Sequence, residues 1–177
     1  MGYHSTFIAW KESVDHLCRT QQVVFDRLIL TKMGKPEGIS SDKAPKAVGL
    51  YPHAKRVGNL LFLSGVGPRI AGSDESDSGV PGLKLDKNGN YLSFDFEAQC
   101  RNVFDNVRKI LEASGAGWND LVDVTVFLTH MKRDFAEYNR IWAEYFSESQ
   151  PCRTTVEVVS LPTPIAIELK CIAVVKE

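Results

Sequence analysis

The sequence predicts an α+β fold in which two amphipathic helices cover one face of a β-sheet. The 177-residue chain has the length and ordinary composition of a globular domain, with 44% hydrophobic and 24% charged residues. Two stretches have helical periodicity, whereas the other apolar stretches are short and bounded by turn residues. Several of these strands are apolar on both faces, so we expect another subunit to cover the face without helices.

The first strong strand is the apolar run at residues 56–65, RVGNLLFLSG, which ends in glycine. A polar, glycine-rich loop follows at residues 71–82. The segment LKLDKNGNYLSF then places Asn88-Gly89 between two alternating stretches, which predicts a β-hairpin.

Two helices flank a strand at residues 121–130, where polar and apolar residues alternate. Asp95 is the predicted N-cap of the first helix and Gly115 its stop. Its apolar stripe is Phe96, Cys100, Val103, Phe104, Val107, Ile110 and Leu111. Asp134 and Glu137 resemble a capping box at the start of the second helix. Its stripe is Phe135, Tyr138, Ile141, Trp142 and Tyr145.

Two closing strands occupy the segment CRTTVEVVSLPTPIAIELKC, in which Arg153, Glu157 and Glu168 are charged. If these strands formed a tight hairpin, Glu168 would lie opposite Glu157 and on the same face as Arg153. A register slip of one residue would reverse that arrangement. The charges therefore either line a ligand site or form a solvated sheet face, and their spacing leaves both interpretations open.

Composition and motifs exclude several function classes. The net charge of −1 argues against a nucleic-acid partner, and no apolar run approaches the roughly 20 residues of a membrane span. The four cysteines and four histidines lack metal-ligand spacing, so we expect no metal and a reducing, cytoplasmic location. Nucleotide-binding and serine-hydrolase motifs are absent from the sequence. Residues 1–39 are interpreted as a dispensable N-terminal extension, and residues 40–177 as the functional domain.

The segment PCRTTVEVVSLP, followed by IELKCIAV, resembles the RidA/YjgF family of enamine and imine deaminases. Four upstream segments extend the resemblance over residues 40–177: APKAVGLYPHA, LLFLSG, DNVRKILEASG and FAEYNRIWAEYF. The resemblance implies a chorismate-mutase-like mixed sheet with two helices on one face. It also implies a homotrimer with ligand sites in the clefts between subunits, and no cofactor.

The resemblance also implies roles for individual residues. Arg153 would bind the substrate carboxylate, and Glu168 would position or activate a water molecule. Arginine suits a carboxylate because its fork of N–H donors matches the two oxygens. The further substrate-binding candidates are Tyr51, Gly65, Val66 and Asn139.

Three stretches, YPHA, SGVGPR and LPTPIAIELK, resemble the 2-aminomuconate deaminase branch of the family. The expected reaction is hydrolysis of 2-aminomuconate to 4-oxalocrotonate and ammonia in aromatic-compound catabolism. Leu50, Thr155 and Lys170 depart from the general family pattern, which bears on substrate range. A broad 2-enamine/2-imine deaminase and a non-catalytic metabolite-binding trimer are the alternatives, and a ribonuclease ranks below them.

A dicarboxylate substrate needs a second cation or donor, because Arg153 can hold only one carboxylate well. Arg69 is the first candidate, since it follows the turn that the family places at the cleft. His53, two residues after Tyr51, is the next. The other interpretation is that Arg69 merely begins the exposed loop.

Overall fold

The computed structural model describes Arg19 and residues 35–73, 79–88 and 91–176. The chain divides into two units at the Lys35–Pro36 boundary, and the second carries the fold. Its strands are β1 (Glu37–Ile39), β2 (Ala54–Val57), β3 (Leu60–Leu63), β4 (Lys84–Leu85), β5 (Tyr91–Ser93), β6 (Leu121–Leu128), β7 (Cys152–Glu157) and β8 (Ile167–Val174). Its helices are α1 (Phe96–Ala113) and α2 (Met131–Phe146), with a 3₁₀ turn at Trp118–Asp120.

Six strands form a mixed sheet in the order β1-β2-β3-β8-β6-β7, and β4 and β5 form a separate antiparallel hairpin. Among the strands that the structure describes, only β6 and β7 pair in parallel, because helix α2 carries the chain back between them. Both helices pack on the sheet from one side, so the predicted α+β fold is confirmed. The hairpin predicted around Asn88 is confirmed as well, although Gly89 lies outside the described residues.

The tight hairpin considered for the closing strands does not form, because β6 lies between β7 and β8. Alternate residues along β8 are buried, which is consistent with its position inside the sheet. Most residues of β7 are exposed, which is consistent with its position at the edge. Glu168 therefore pairs with Phe127 rather than with Glu157. The Glu157 carboxylate instead accepts a hydrogen bond from the Met131 amide (2.6 Å), which caps the start of α2.

Helix α1 begins and ends where the sequence predicts. The Asp95 carboxylate accepts a hydrogen bond from the Ala98 amide (2.9 Å), and Gly115 adopts a φ of +73° just after the last turn. All seven residues of the predicted stripe are buried. Each large side chain removed from water in this way contributes about 1.5–3 kcal/mol to folding.

Helix α2 begins one turn earlier than the predicted capping box. His130 is the N-cap, and its ring accepts a hydrogen bond from the Arg133 amide (3.2 Å). Asp134 is buried in the first turn, where Arg133 pairs with its carboxylate, and it does not act as a cap. Phe135 was predicted to be buried but is 37% exposed, whereas Tyr138 and Ile141 are buried in the core.

The sheet face opposite the helices carries apolar side chains among polar ones. Leu60 and Phe62 of β3 are 39% and 36% exposed, and they pair with Val174 and Ile172 of β8. Val156 of β7 is exposed beside Phe127 on the same face. This pattern agrees with the expectation that another subunit covers the face.

Most of the predicted extension, residues 1–39, lies outside the described residues. Strand β1 lies within its last three residues and pairs with β2. In the part of the chain that the structure describes, no helix is long and apolar enough to cross a membrane.

Candidate active site

A pocket lies between the segment that precedes β2 and the turn that follows β3. It brings together five predicted site residues that are far apart in the sequence: Tyr51, His53, Gly65, Val66 and Arg69. The other lining residues are Pro45, Lys46, Ala47, Ser64, Gly67 and Ile110. Two of these lining residues, Lys46 and Arg69, are cations.

The Glu168 carboxylate lies against the backbone of Gly65, close to this pocket. A Cβ atom on Gly65 would overlap that carboxylate, so only glycine leaves room for it. Val66 fixes the turn onto β8 through two backbone hydrogen bonds with Leu169, of 2.8 and 2.9 Å. The glutamate and the turn are therefore held in a fixed relation to each other.

Burial raises the pKa of the Glu168 carboxyl above its usual range. None of the ion pairs or hydrogen bonds found among the described residues involves this carboxylate. A half-buried carboxylate with a raised pKa and free oxygens is suited to accept a proton near neutral pH.

Two asparagines on α1 support the turn, and neither was predicted from the sequence. Asn106 donates from its side-chain amide to the carbonyls of Gly67 (3.0 Å) and Arg69 (2.8 Å). Asn102 donates to the carbonyls of Pro68 (2.7 Å) and Arg69 (3.2 Å). Their four-residue spacing beside an apolar stripe was the available signal, because an asparagine next to buried positions needs polar partners.

Arg69 donates a hydrogen bond to the Lys46 carbonyl (2.6 Å) and lines the pocket mouth. None of the ion pairs in the described ranges involves its guanidinium. Its positive charge therefore remains available to an anion. His53 differs from it, because both of its ring nitrogens are hydrogen-bonded to backbone groups.

Arg153 lies outside this pocket, near the exposed edge of the sheet on β7. It pairs with Val124, which places it on the helix side of the sheet, whereas Glu168 pairs with Phe127 and faces the opposite side. The Arg153 guanidinium carbon lies over the rings of Trp142 (5.0 Å) and Tyr138 (5.5 Å). These cation–π contacts orient the guanidinium without neutralising its charge.

Asn139 accompanies Arg153 rather than the pocket. It lies on α2, three residues before Trp142, whose ring contacts Arg153, and it does not line the pocket. The structure thus divides the predicted site residues into a pocket group, which includes Glu168, and an edge group of Arg153 and Asn139. Within one chain, Arg153 and Glu168 lie on different sides of the sheet. Among the described residues, no cluster of acidic, histidine or cysteine side chains could hold a metal ion.

The fold and the two site groups define a small α+β protein with a pocket at the end of a half-covered sheet. A family model described as Endoribonuclease L-PSP matches residues 41–175. The chain belongs to this family, which is the RidA/YjgF family that the sequence resembles.

The relatives and solved structures agree with this assignment. A RutC family protein of Pyrococcus horikoshii is 40% identical over 138 residues, which span 77% of this chain and 96% of the relative. Reactive Intermediate Deaminase A, chloroplastic, of Arabidopsis thaliana is 37% identical over 139 residues, which span 78% of this chain and 66% of the relative. The family therefore includes reactive intermediate deaminases.

Two crystal structures have closely similar folds. RidA from the Antarctic bacterium Psychrobacter sp. has a TM-score of 0.64 and 33% identity, and the match covers 78% of this chain and 99% of that one. E. coli TdcF with bound serine has a TM-score of 0.64 and 30% identity, with coverage of 79% and 99%.

Proposed function

We propose that the protein hydrolyses 2-aminomuconate to 4-oxalocrotonate and ammonia. The observation that carries this proposal is the free, half-buried Glu168 carboxylate beside a pocket whose mouth holds the unpaired cation Arg69. Such a site offers a base for water and a cation for an acidic substrate. The family's reactive intermediate deaminases support the coarser reaction class, enamine and imine hydrolysis.

The reaction requires a base and an acid but no redox step. The imine tautomer of the substrate has an electrophilic carbon, and water adds to it while Glu168 accepts one proton from that water. Glu168 passes that proton to the nitrogen, which gives a neutral carbinolamine with a new C–O bond. Glu168 then accepts the hydroxyl proton and delivers it to the nitrogen, the C–N bond breaks, and ammonia leaves as the C=O bond forms. The raised pKa of Glu168 suits both transfers, because one group must accept and then donate the same proton.

In this proposal Arg153 binds the carboxylate of a substrate that lies in the pocket of a neighbouring chain. Within one chain, Arg153 and Glu168 face different sides of the sheet. A homotrimer with clefts between subunits allows the edge group of one chain to meet the pocket group of the next. The apolar side chains Leu60, Phe62 and Val156 supply a surface for such an assembly.

We therefore expect light scattering to give the mass of three chains at micromolar concentration. The expectation follows from the apolar side chains on the open sheet face and from the separation of the two site groups. A stable monomer that retains full turnover would contradict both the trimer and the shared cleft.

Steady-state assays with 2-aminomuconate and 2-iminopropionate test the proposed function. We expect a higher kcat/KM for 2-aminomuconate, because the pocket mouth offers a second cation for its second carboxylate. A higher value for 2-iminopropionate would support the alternative, a broad reactive-intermediate deaminase, which the Arabidopsis relative's name favours. Binding of both compounds without turnover would support the non-catalytic alternative.

The substitution Arg69→Ala is expected to weaken the diacid substrate selectively. Loss of a charge-assisted hydrogen bond of about 1.5–3 kcal/mol lowers kcat/KM for 2-aminomuconate roughly 10- to 150-fold. The value for 2-iminopropionate should change little, since that substrate has one carboxylate. Lys87→Ala is the matched control, because Lys87 is an exposed cation that does not line the pocket. Equal losses for both substrates would remove Arg69 from diacid recognition.

A further inference from the structure

The imidazole ring of His53 joins two backbone groups of the segment at residues 41–45, whose last residue, Pro45, lines the pocket. The Ser41 amide lies 2.9 Å from Nδ1, and the Pro45 carbonyl oxygen lies 2.8 Å from Nε2. Each ring nitrogen therefore has one partner in the same short segment. His53 directly precedes β2, so its ring connects the start of that strand to residues 41–45.

The partners determine which ring nitrogen donates a hydrogen bond and which accepts one. The Ser41 amide can only donate, so Nδ1 must present a lone pair, and the Pro45 carbonyl can only accept, so Nε2 must carry the hydrogen. Both ring nitrogens of His53 are therefore in use. As bonded, it has no free donor for a substrate carboxylate, which distinguishes it from Arg69.

The ring rests on a fixed base. The Ser64 amide donates to the His53 carbonyl (2.8 Å), and the Ser64 hydroxyl donates to the Pro52 carbonyl (2.7 Å). These bonds tie the His53 backbone to the end of β3. The His53 backbone is thus fixed to the sheet, and its ring is fixed to residues 41–45 by two hydrogen bonds. We call this connection between the sheet and the segment the strut.

The residue that directly follows the segment held by the His53 ring is hydrogen-bonded to Arg69. Pro45 is bonded by the ring, and the next residue, Lys46, accepts the Arg69 hydrogen bond through its carbonyl (2.6 Å). Displacing Pro45 therefore moves the Lys46 carbonyl that orients Arg69. On its other side, the Arg69 backbone is held by Asn102 and Asn106, so the position of its guanidinium depends on this carbonyl.

We infer that His53 is a positioning residue that acts through residues 41–46 to orient Arg69 toward the distal acidic group of a dicarboxylate substrate. This inference rests on the proposed function. The role needs a neutral side chain with one acceptor and one donor, and it needs no proton transfer. Glutamine meets that requirement with its carbonyl oxygen and amide group, whereas leucine fills a similar volume with neither.

Two variants, His53→Gln and His53→Leu, test the inference. We expect His53→Leu to raise KM for 2-aminomuconate on the order of tenfold, as for the loss of about one hydrogen bond, with kcat and 2-iminopropionate kinetics nearly unchanged. His53→Gln should restore most of the affinity. Equal losses of both substrates in both variants would overturn the inference.

Amide hydrogen exchange across residues 41–47 tests the strut without any substrate. We expect faster exchange in His53→Leu and near wild-type exchange in His53→Gln. The control is Lys87→Ala, which changes an exposed residue that does not line the pocket and should leave this exchange unchanged. Unchanged exchange in His53→Leu would overturn the strut even in a protein that does not act on 2-aminomuconate. If His53→Leu fails to fold, exchange in His53→Gln faster than in the wild type would overturn the predicted donor–acceptor pairing.

Discussion

Glu168→Gln is expected to lower kcat by about 10²- to 10⁴-fold with little change in KM, as for the loss of a general base. Glutamine keeps the size of the side chain beside Gly65 but cannot accept a proton from water. Glu112→Gln is the matched control, because Glu112 is exposed at the end of α1. An unchanged kcat in Glu168→Gln would remove Glu168 from the chemistry.

The same substitution should also raise the Tm at neutral pH. Burial raises the Glu168 pKa, so the folded protein binds this proton more tightly than the unfolded chain does. Ionisation of Glu168 therefore opposes folding, and the penalty grows as the pH rises from the ordinary carboxyl pKa to the raised value. The difference in Tm between variant and wild type should disappear in acid. A lower Tm for the variant at neutral pH would show that the carboxylate stabilises the fold instead.

Arg153→Ala is expected to lower kcat/KM roughly 10- to 150-fold for both 2-aminomuconate and 2-iminopropionate, because each substrate has the carboxylate that this residue is proposed to hold. Arg153→Lys should fall between wild type and alanine, since it keeps the charge but loses the two-pronged hydrogen bonding. The contrast with Arg69→Ala separates the common anchor from the residue specific for diacids.

The Tm of Arg153→Ala should remain close to that of the wild type. Arg153 is exposed, and its contacts with the rings of Trp142 and Tyr138 are each worth about 0.5–1 kcal/mol at such a site. An activity loss accompanied by a large fall in Tm would indicate a structural role. Unchanged kcat/KM for both substrates would contradict the proposed anchor.

The sequence predicted α1 well because its signals are local. The cap at Asp95, the stop at Gly115 and the apolar stripe between them all depend on residues within a few positions of one another. The start of α2 was predicted one turn late. Asp134 has the chemistry of a cap, but it is buried against Arg133, and His130 takes the capping position.

Strand pairing was harder to predict because it depends on contacts between distant residues. The prolines at 162 and 164 suggested a tight turn, yet the connection carries the chain past β6. This single change in strand order moves Arg153 and Glu168 to different sides of the sheet. A period-two pattern identifies the two faces of each strand, but it does not identify the neighbouring strand.

The pocket was predicted mainly through the family resemblance. Tyr51, Gly65 and Arg69 have no spacing that would bring them together without knowledge of the fold, and the structure places all three on one pocket. Asn102 and Asn106 were not predicted, because the helical pattern identifies only the apolar stripe and not the partners of the polar residues beside it. The roles of these pocket residues in catalysis remain predictions for the variants described above.

The placement of Arg153 and Glu168 on different sides of the sheet has a genetic consequence. In the proposed trimer, each cleft takes Arg153 from one chain and Glu168 from the next. Alleles that destroy Arg153 and alleles that destroy Glu168 then complement each other within one gene, because a mixed trimer contains some clefts with both residues intact. Alleles that destroy Glu168 and Arg69 do not complement each other, since every cleft takes both of those residues from the same chain.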